Sequence, residues 1–143
     1  MLVKSKHVKN FGNELCLRPL VEILSKIETT GIKINTVDRS EVTVHFVLGL
    51  LIGDNLGLNS ILGFSKSFNS NFYCLFCKIS KSEAQIALFE DPNLIRNQSN
   101  YEHDLSIQDF SMTGISDYCI LNSLENFHVT NNYSVDIMHA IFF

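Results

Sequence analysis

Cys74-Leu75-Phe76-Cys77 is the pair best placed to do chemistry, because a two-residue gap lets both thiolates reach one tetrahedral zinc from a single tight turn. Two sulfurs make half of such a site. The chain offers His103, Cys119, His128, Asp136 and His139 as further ligands. On spacing alone three readings stay open: a structural zinc site, a thioredoxin-like redox pair, and two packed cysteines with no joint role. No strand-to-helix unit of the thioredoxin kind carries the pair, which counts against redox chemistry.

Asp136-Ile137-Met138-His139 sets an acid and an imidazole at i and i+3, on one face of a helix, where they could share a metal or Asp136 could orient the ring. The plainer alternative is a half-exposed polar pair. Asp54, in Gly53-Asp54-Asn55, reads either as a turn residue or helix cap, or as a carboxylate presented at a strand end to Mg²⁺. Lys4, Lys6, His7 and Lys9 form a short basic cluster that could touch phosphate or lie solvated as an arm. His45 alternates with Val44 and Phe46 and reads as structural.

The elements that must position these residues follow from periodicity. Leu17, Leu20, Val21, Leu24 and Ile27 recur at helical spacing up to Gly31, which predicts a helix from about 14 or 19 to 30, its start depending on Pro19. A turn at Asp38-Arg39-Ser40 precedes residues 42–52, whose β-branched and aliphatic run predicts one buried strand ending at Gly53. Asp54 would then stand at the carboxyl end of a central strand, with a short helix following to Gly63. Aromatic residues crowd the two cysteines. Beyond them a helix is expected over about 82–89, stopped by Pro92, then a polar loop over 91–104 and short helical signals around Ile120, Leu121 and Leu124. Ser134 caps a last predicted helix with Val135, Met138, Ile141 and Phe142 on its apolar face, and the pattern reads as cut off inside that helix at Phe143.

With 143 residues, 45% of them hydrophobic and 18% charged, the chain can bury one modest core and is neither disordered nor a large multidomain enzyme. Fifteen acids against eleven Lys and Arg give a net charge of −4, so any nucleic-acid contact must be local. The run 42–52 is broken by Thr43, His45 and Gly49 and is far below the roughly 20 residues of a membrane helix. The N-terminal lysines have no apolar segment or cleavage site of a secretory signal behind them. A nuclear or cytoplasmic chain with reduced cysteines is the expectation, neither secreted nor in a membrane.

Residues 46–64 (FVLGLLIGDNLGLNSILGF), 72–77 (FYCLFC), 127–130 (FHVT) and 133–139 (YSVDIMH) together resemble transposase-like proteins of animal genomes, relatives of eukaryotic cut-and-paste transposases with a ribonuclease-H-like catalytic core. Asn10-Phe11-Gly12-Asn13 and the helix to Gly31 resemble their lead-in, so the likeness spans nearly the whole chain. It implies a mixed α/β (α+β) fold. Residues 1–64 would be part of the ribonuclease-H-like core, and residues 65–143 a mainly helical zinc-bearing insertion.

In such transposases three acids hold two divalent metals, and an insertion bearing Cys-x-x-Cys and Cys/Asp-x-x-His separates the second acid from the third. The resemblance implies that Asp54 is the second acid, and that Cys74, Cys77, Asp136 and His139 are ligands of a structural zinc. The first acid would lie upstream of Met1 and the third beyond Phe143, and Ala140 stands where relatives carry an acid. Two-metal hydrolysis needs several carboxylates; one aspartate holds Mg²⁺ only weakly. The expectation is therefore a transposon-derived fragment without activity of its own, whose complete relatives bind DNA and Mg²⁺. The alternative is a non-enzymatic zinc-stabilised interaction module, binding a protein partner or itself through the aromatic edge at Phe72 to Phe76 and the tail from Ile141 to Phe143.

Overall fold

Helix α1 (Ser5–Thr29) is interrupted at Gly12, whose backbone leaves the helical region (φ 76°, ψ 169°), and then runs through Pro19 without ending. In the computed structural model the described residues are 5–136, and they divide into two units: residues 5–49 with 120–128, and residues 50–119 with 129–136. Phe64, the last residue of the expected core segment, lies within the second unit. Among the described residues the fold is mixed α/β, with five α-helices and four short strands in two two-stranded sheets. None of these helices is long and apolar enough to cross a membrane.

In the first unit, the predicted helical stripe is the least exposed side of α1, with Val21 buried and Leu17, Leu20, Leu24 and Ile27 half-buried. The helix stops where Gly31 takes a positive φ and packs against a 3₁₀ turn (Ile120–Ser123). Ile120, Leu121, Leu124 and Phe127 are also buried. The buried carboxylate of Glu28 accepts the backbone N–H of Glu125 (3.2 Å) and of Asn126 (3.0 Å) and the Asn126 side-chain amide (2.7 Å). It thus replaces the water those donors would otherwise bind.

Strands β1 (Ile32–Asn35) and β2 (Glu41–Val44) form an antiparallel hairpin with Ile32 opposite Val44 and Ile34 opposite Val42. The predicted turn closes it: Thr36 N–H donates to Ser40 C=O at 2.9 Å, and the Thr36 and Ser40 hydroxyls donate to Asp38, holding its carboxyl below the usual range. The single buried strand expected over 42–52 does not form. After β2, the His45 ring binds the Glu28 carbonyl (2.9 Å) and Phe46 N–H reaches the Ile27 carbonyl (3.3 Å), which takes the backbone out of the ladder. Only residues 51–53 are strand again, and they belong to the second unit. Phe46, Val47 and Ile52 are more than half exposed, so the apolar run was not a sign of burial.

In the second unit β3 (Leu51–Gly53) pairs in parallel with β4 (Tyr133–Val135), with Gly53 opposite Val135. Helix α2 (Asn55–Leu62) follows β3 directly and packs on both strands, burying Leu58 and Leu62. It is capped by the Asp54 carboxylate and ended by Gly63 in the left-handed conformation, as the sequence predicts. The expected 82–89 helix is reduced to one capped turn, α3 (Lys81–Ala84). Ile86, Leu88 and Phe89 have no face to bury against, and a short helix depends on such packing. The polar stretch read as loop contains α4 (Gln98–Ile107), started by reciprocal capping between Asn97 and Asn100, and α5 (Phe110–Thr113) follows. The helix expected from Ser134 does not start there, since residues 133–135 are strand, drawn into pairing with β3; residues 137–143, with the rest of that predicted helix and the apolar tail, lie outside the described residues. Phe64, Leu75, Tyr101, Ile115, Cys119 and Val129 complete this unit's buried set.

Candidate functional site

The cysteine turn is held from three sides. Residues 76–78 run antiparallel to residues 94–96, with Lys78 N–H on the Leu94 carbonyl (2.8 Å) and Arg96 N–H on the Phe76 carbonyl (2.9 Å). Tyr133, from β4, donates its hydroxyl to the Leu75 carbonyl (3.3 Å) and sets its ring 5.3 Å from that of Phe76. Within the turn, Cys77 N–H points at Cys74 Sγ (3.3 Å) and the two sulfurs are 3.2 Å apart.

That spacing is far beyond a disulfide of about 2.05 Å, and both thiols are free and half-buried. Two Zn–S bonds near 2.3 Å at a tetrahedral angle put their sulfurs about 3.8 Å apart. The pair therefore fits a zinc after opening by about half an ångström, and it fits two ligands of the four. Among the described residues no three His, Cys, Asp or Glu side chains gather around one metal position. Cys119 is buried with its sulfur near the Ile61 carbonyl, His103 is exposed on α4, and His128 belongs to the first unit. His139 lies outside the described residues, as does Lys4 of the basic arm.

Burial pushes the Cys77 thiol up from 9.0 to about 11, with the Cys74 thiol adding to the rise and a bond from Ile79 N–H opposing it. In the metal-free protein the proton is held more tightly folded than unfolded. This contributes stability that is fully present below about pH 9 and lost as the pH rises to about 11. Tyr101 and Tyr133, also raised by burial, act in the same direction at higher pH. Cys77→Ala is expected to flatten the fall in melting temperature between about pH 9 and 11; a profile of unchanged slope would refute this assignment.

Asp54 lies immediately past β3 and is exposed, at the end of a three-residue strand rather than of the central 42–52 strand expected. Its carboxylate accepts the Gly57 N–H and so caps α2. Asp136 lies immediately past β4, and its N–H donates to the Gly53 carbonyl (2.9 Å). Since Gly53 and Val135 are register partners, the two aspartates are neighbours at the carboxyl ends of two parallel strands. Asp136 is thus brought to Asp54 rather than to the cysteine pair. Asp54→Ala is expected to cost about 1 kcal/mol through loss of the cap, whereas Asp54→Asn caps as well and stays within a few tenths. Urea unfolding of the two variants measures the difference, and equal losses would show that the cap contributes nothing.

Sequence reasoning missed an ionic cluster behind the cysteines. Arg96 and Asp104 have side chains only 1% exposed; Arg96 Nη1 is 3.4 Å from Asp104 Oδ2, and Lys78 Nζ is 2.7 Å from Asp104 Oδ1. Arg96 Nε also donates to the Cys74 carbonyl (3.3 Å) and Nη2 to the Thr113 carbonyl (2.8 Å), with the guanidinium 5.1 Å from the centre of the Phe64 ring. The only available signal was a lone arginine in a polar stretch, and such a residue is mostly exposed. No protein-family profile, curated protein or solved structure matches this chain.

Proposed function

We propose that this chain is a transposon-derived piece of a DDE-type DNA transposase catalytic domain, part of a ribonuclease-H-like core interrupted by an insertion that zinc braces at Cys74 and Cys77. The observation that carries the reading is the parallel pairing of β3 with β4 across the whole segment 54–132, which sets Asp54 and Asp136 side by side. Parallel strands occur almost only in wider sheets covered on both faces, so a parallel pair of three-residue strands suits one part of such a sheet. A carboxylate at the carboxyl end of a parallel strand is also where α/β sheets place ligands.

Asp54 would hold divalent metal in a complete relative, and the placement of Asp136 favours a role beside it. Mg²⁺ there would polarise the phosphate and activate the attacking water. Residues 74–77 would serve folding, as closed zinc sites do. The polypeptide 1–143 by itself is expected neither to nick nor to join DNA with Mg²⁺ or Mn²⁺, and Asp54→Asn to leave that result unchanged. Reproducible metal-dependent cleavage lost in Asp54→Asn would overturn the inert reading. The reading as a transposase piece is tested by the coding sequence on either side. It requires a strand bearing an aspartate upstream and a helix bearing a glutamate downstream.

One observation favours a second reading, the zinc-stabilised interaction module. Ile86, Leu88 and Phe89 are 80%, 88% and 89% exposed within four residues, a denser apolar display than scattered surface side chains give. The aromatic edge expected to serve this role is only partly open: Leu75 is buried, Phe72 and Tyr73 are half-buried, and Phe76 is 49% exposed with its ring tilted against that of Tyr133.

A further inference from the structure

The cysteine turn is held by contacts within the protein, and one buried side chain makes most of them. Arg96 donates from Nε to the Cys74 carbonyl, from Nη1 to Asp104 and from Nη2 to the Thr113 carbonyl, and its own backbone N–H binds the Phe76 carbonyl. It therefore ties both the first and the third residue of the turn to α4 and α5. The guanidinium suits this task because its donors diverge in one rigid plane. Charge adds a second argument. Asp104 is one anion facing two cations, Lys78 and Arg96, so a positive charge is left over against the turn that carries the sulfurs. That charge is opposite in sign to a thiolate, the form of cysteine that binds a metal.

The geometry points to Arg96 as the positioning residue of the Cys74–Cys77 site: it supplies no ligand, yet it presets the two sulfurs for a soft divalent cation. This rests on the zinc reading of that pair. Metal ligands held by outer-shell partners typically lose 10–100-fold in affinity when the partner is changed. Arg96→Lys keeps the charge but cannot reach the Cys74 and Thr113 carbonyls and Asp104 at once.

The test is a titration of the metal-free 143-residue chain with Co²⁺, followed by the thiolate-to-cobalt absorption band, with Zn²⁺ affinity then taken by competition against a chelator. The wild type, Cys74→Ser, Arg96→Lys, Asp104→Asn and Val129→Ala are compared at a temperature where circular dichroism shows each folded. Val129 is fully buried in the same unit and lies outside residues 74–78 and 94–96, so Val129→Ala reports what loss of core packing does. The expected result is no cobalt band in Cys74→Ser, affinity about 10–100-fold weaker in Arg96→Lys, a smaller loss in the same direction in Asp104→Asn, and no change in Val129→Ala. If Arg96→Lys does not fold, Asp104→Asn carries the comparison. Affinity in these two variants within twofold of wild type, or an equal loss in Val129→Ala, would overturn the role of Arg96 while leaving the metal site standing. A wild-type chain that takes up no cobalt would overturn the metal reading, and the inference with it.

Discussion

Replacing Asp104 by leucine is expected to remove about 4–5 kcal/mol of unfolding free energy, more than Arg96→Met at about 3 kcal/mol. The order follows from counting charges. Asp104 and Arg96 are both 1% exposed, whereas Lys78 keeps 29% of its side chain in reach of solvent. Taking Arg96 away leaves Asp104 still paired with Lys78 at 2.7 Å, so the buried anion remains neutralised. Taking Asp104 away leaves the guanidinium buried with only carbonyls and the Phe64 ring as partners, and an uncompensated buried charge is the larger penalty. The double variant should lose less than the sum of the two, since each residue's burial is unfavourable chiefly without the other. Urea unfolding of the three variants checks all of this; a loss under about 1 kcal/mol for Asp104→Leu would mean that water reaches the pair.

What was legible in the sequence divides along a physical line. The α1 stripe, the Asp38 turn, the stop at Gly31 and the short helix from Asp54 to Gly63 were readable because each is decided by neighbours in sequence: spacing of apolar residues, a short polar side chain, a glycine with positive φ. The run 42–52 misled because β-branched content reports strand preference but not which partner exists. His45 and Phe46 were recruited by the end of α1, and the remaining strand by Tyr133 to Val135. Ser134 misled for the same reason, since a cap residue before an apolar face also fits a strand once a partner edge is present. At the candidate site the Cys-x-x-Cys spacing gave the turn directly. The residues that fix the turn, Arg96 and Asp104, come from a segment with no apolar period, and only folding reveals that they are buried.

Gly63→Ala is the second large effect expected, at about 4 kcal/mol, and Gly12→Ala is its control. Gly63 (φ 80°, ψ 21°) lies in the left-handed helical region, where a side chain costs about 1–2 kcal/mol; Gly12 (φ 76°, ψ 169°) lies in an extended positive-φ region adopted almost only by glycine, at about 1–3 kcal/mol. They differ in surroundings. A methyl group at Gly12 meets nothing within 4 Å, whereas at Gly63 it would lie 2.1 Å from the Asp117 carbonyl oxygen. Neither partner can step back easily. The Gly63 carbonyl itself accepts Ser116 N–H (2.7 Å), Ser116 Oγ–H (2.9 Å) and Asp117 N–H (3.2 Å), so shifting the 116–117 backbone to admit the methyl breaks the bonds that hold it there. Residues 115–119 are also the strip through which Ile115 and Cys119 enter the buried set beside Phe64. Gly12→Ala should therefore lose only its conformational penalty, about 1–3 kcal/mol, while Gly63→Ala loses about 4 kcal/mol or leaves the second unit unfolded. A loss of only about 1–2 kcal/mol in Gly63→Ala would show that backbone conformation alone, without the contact to Asp117, requires glycine at the end of α2.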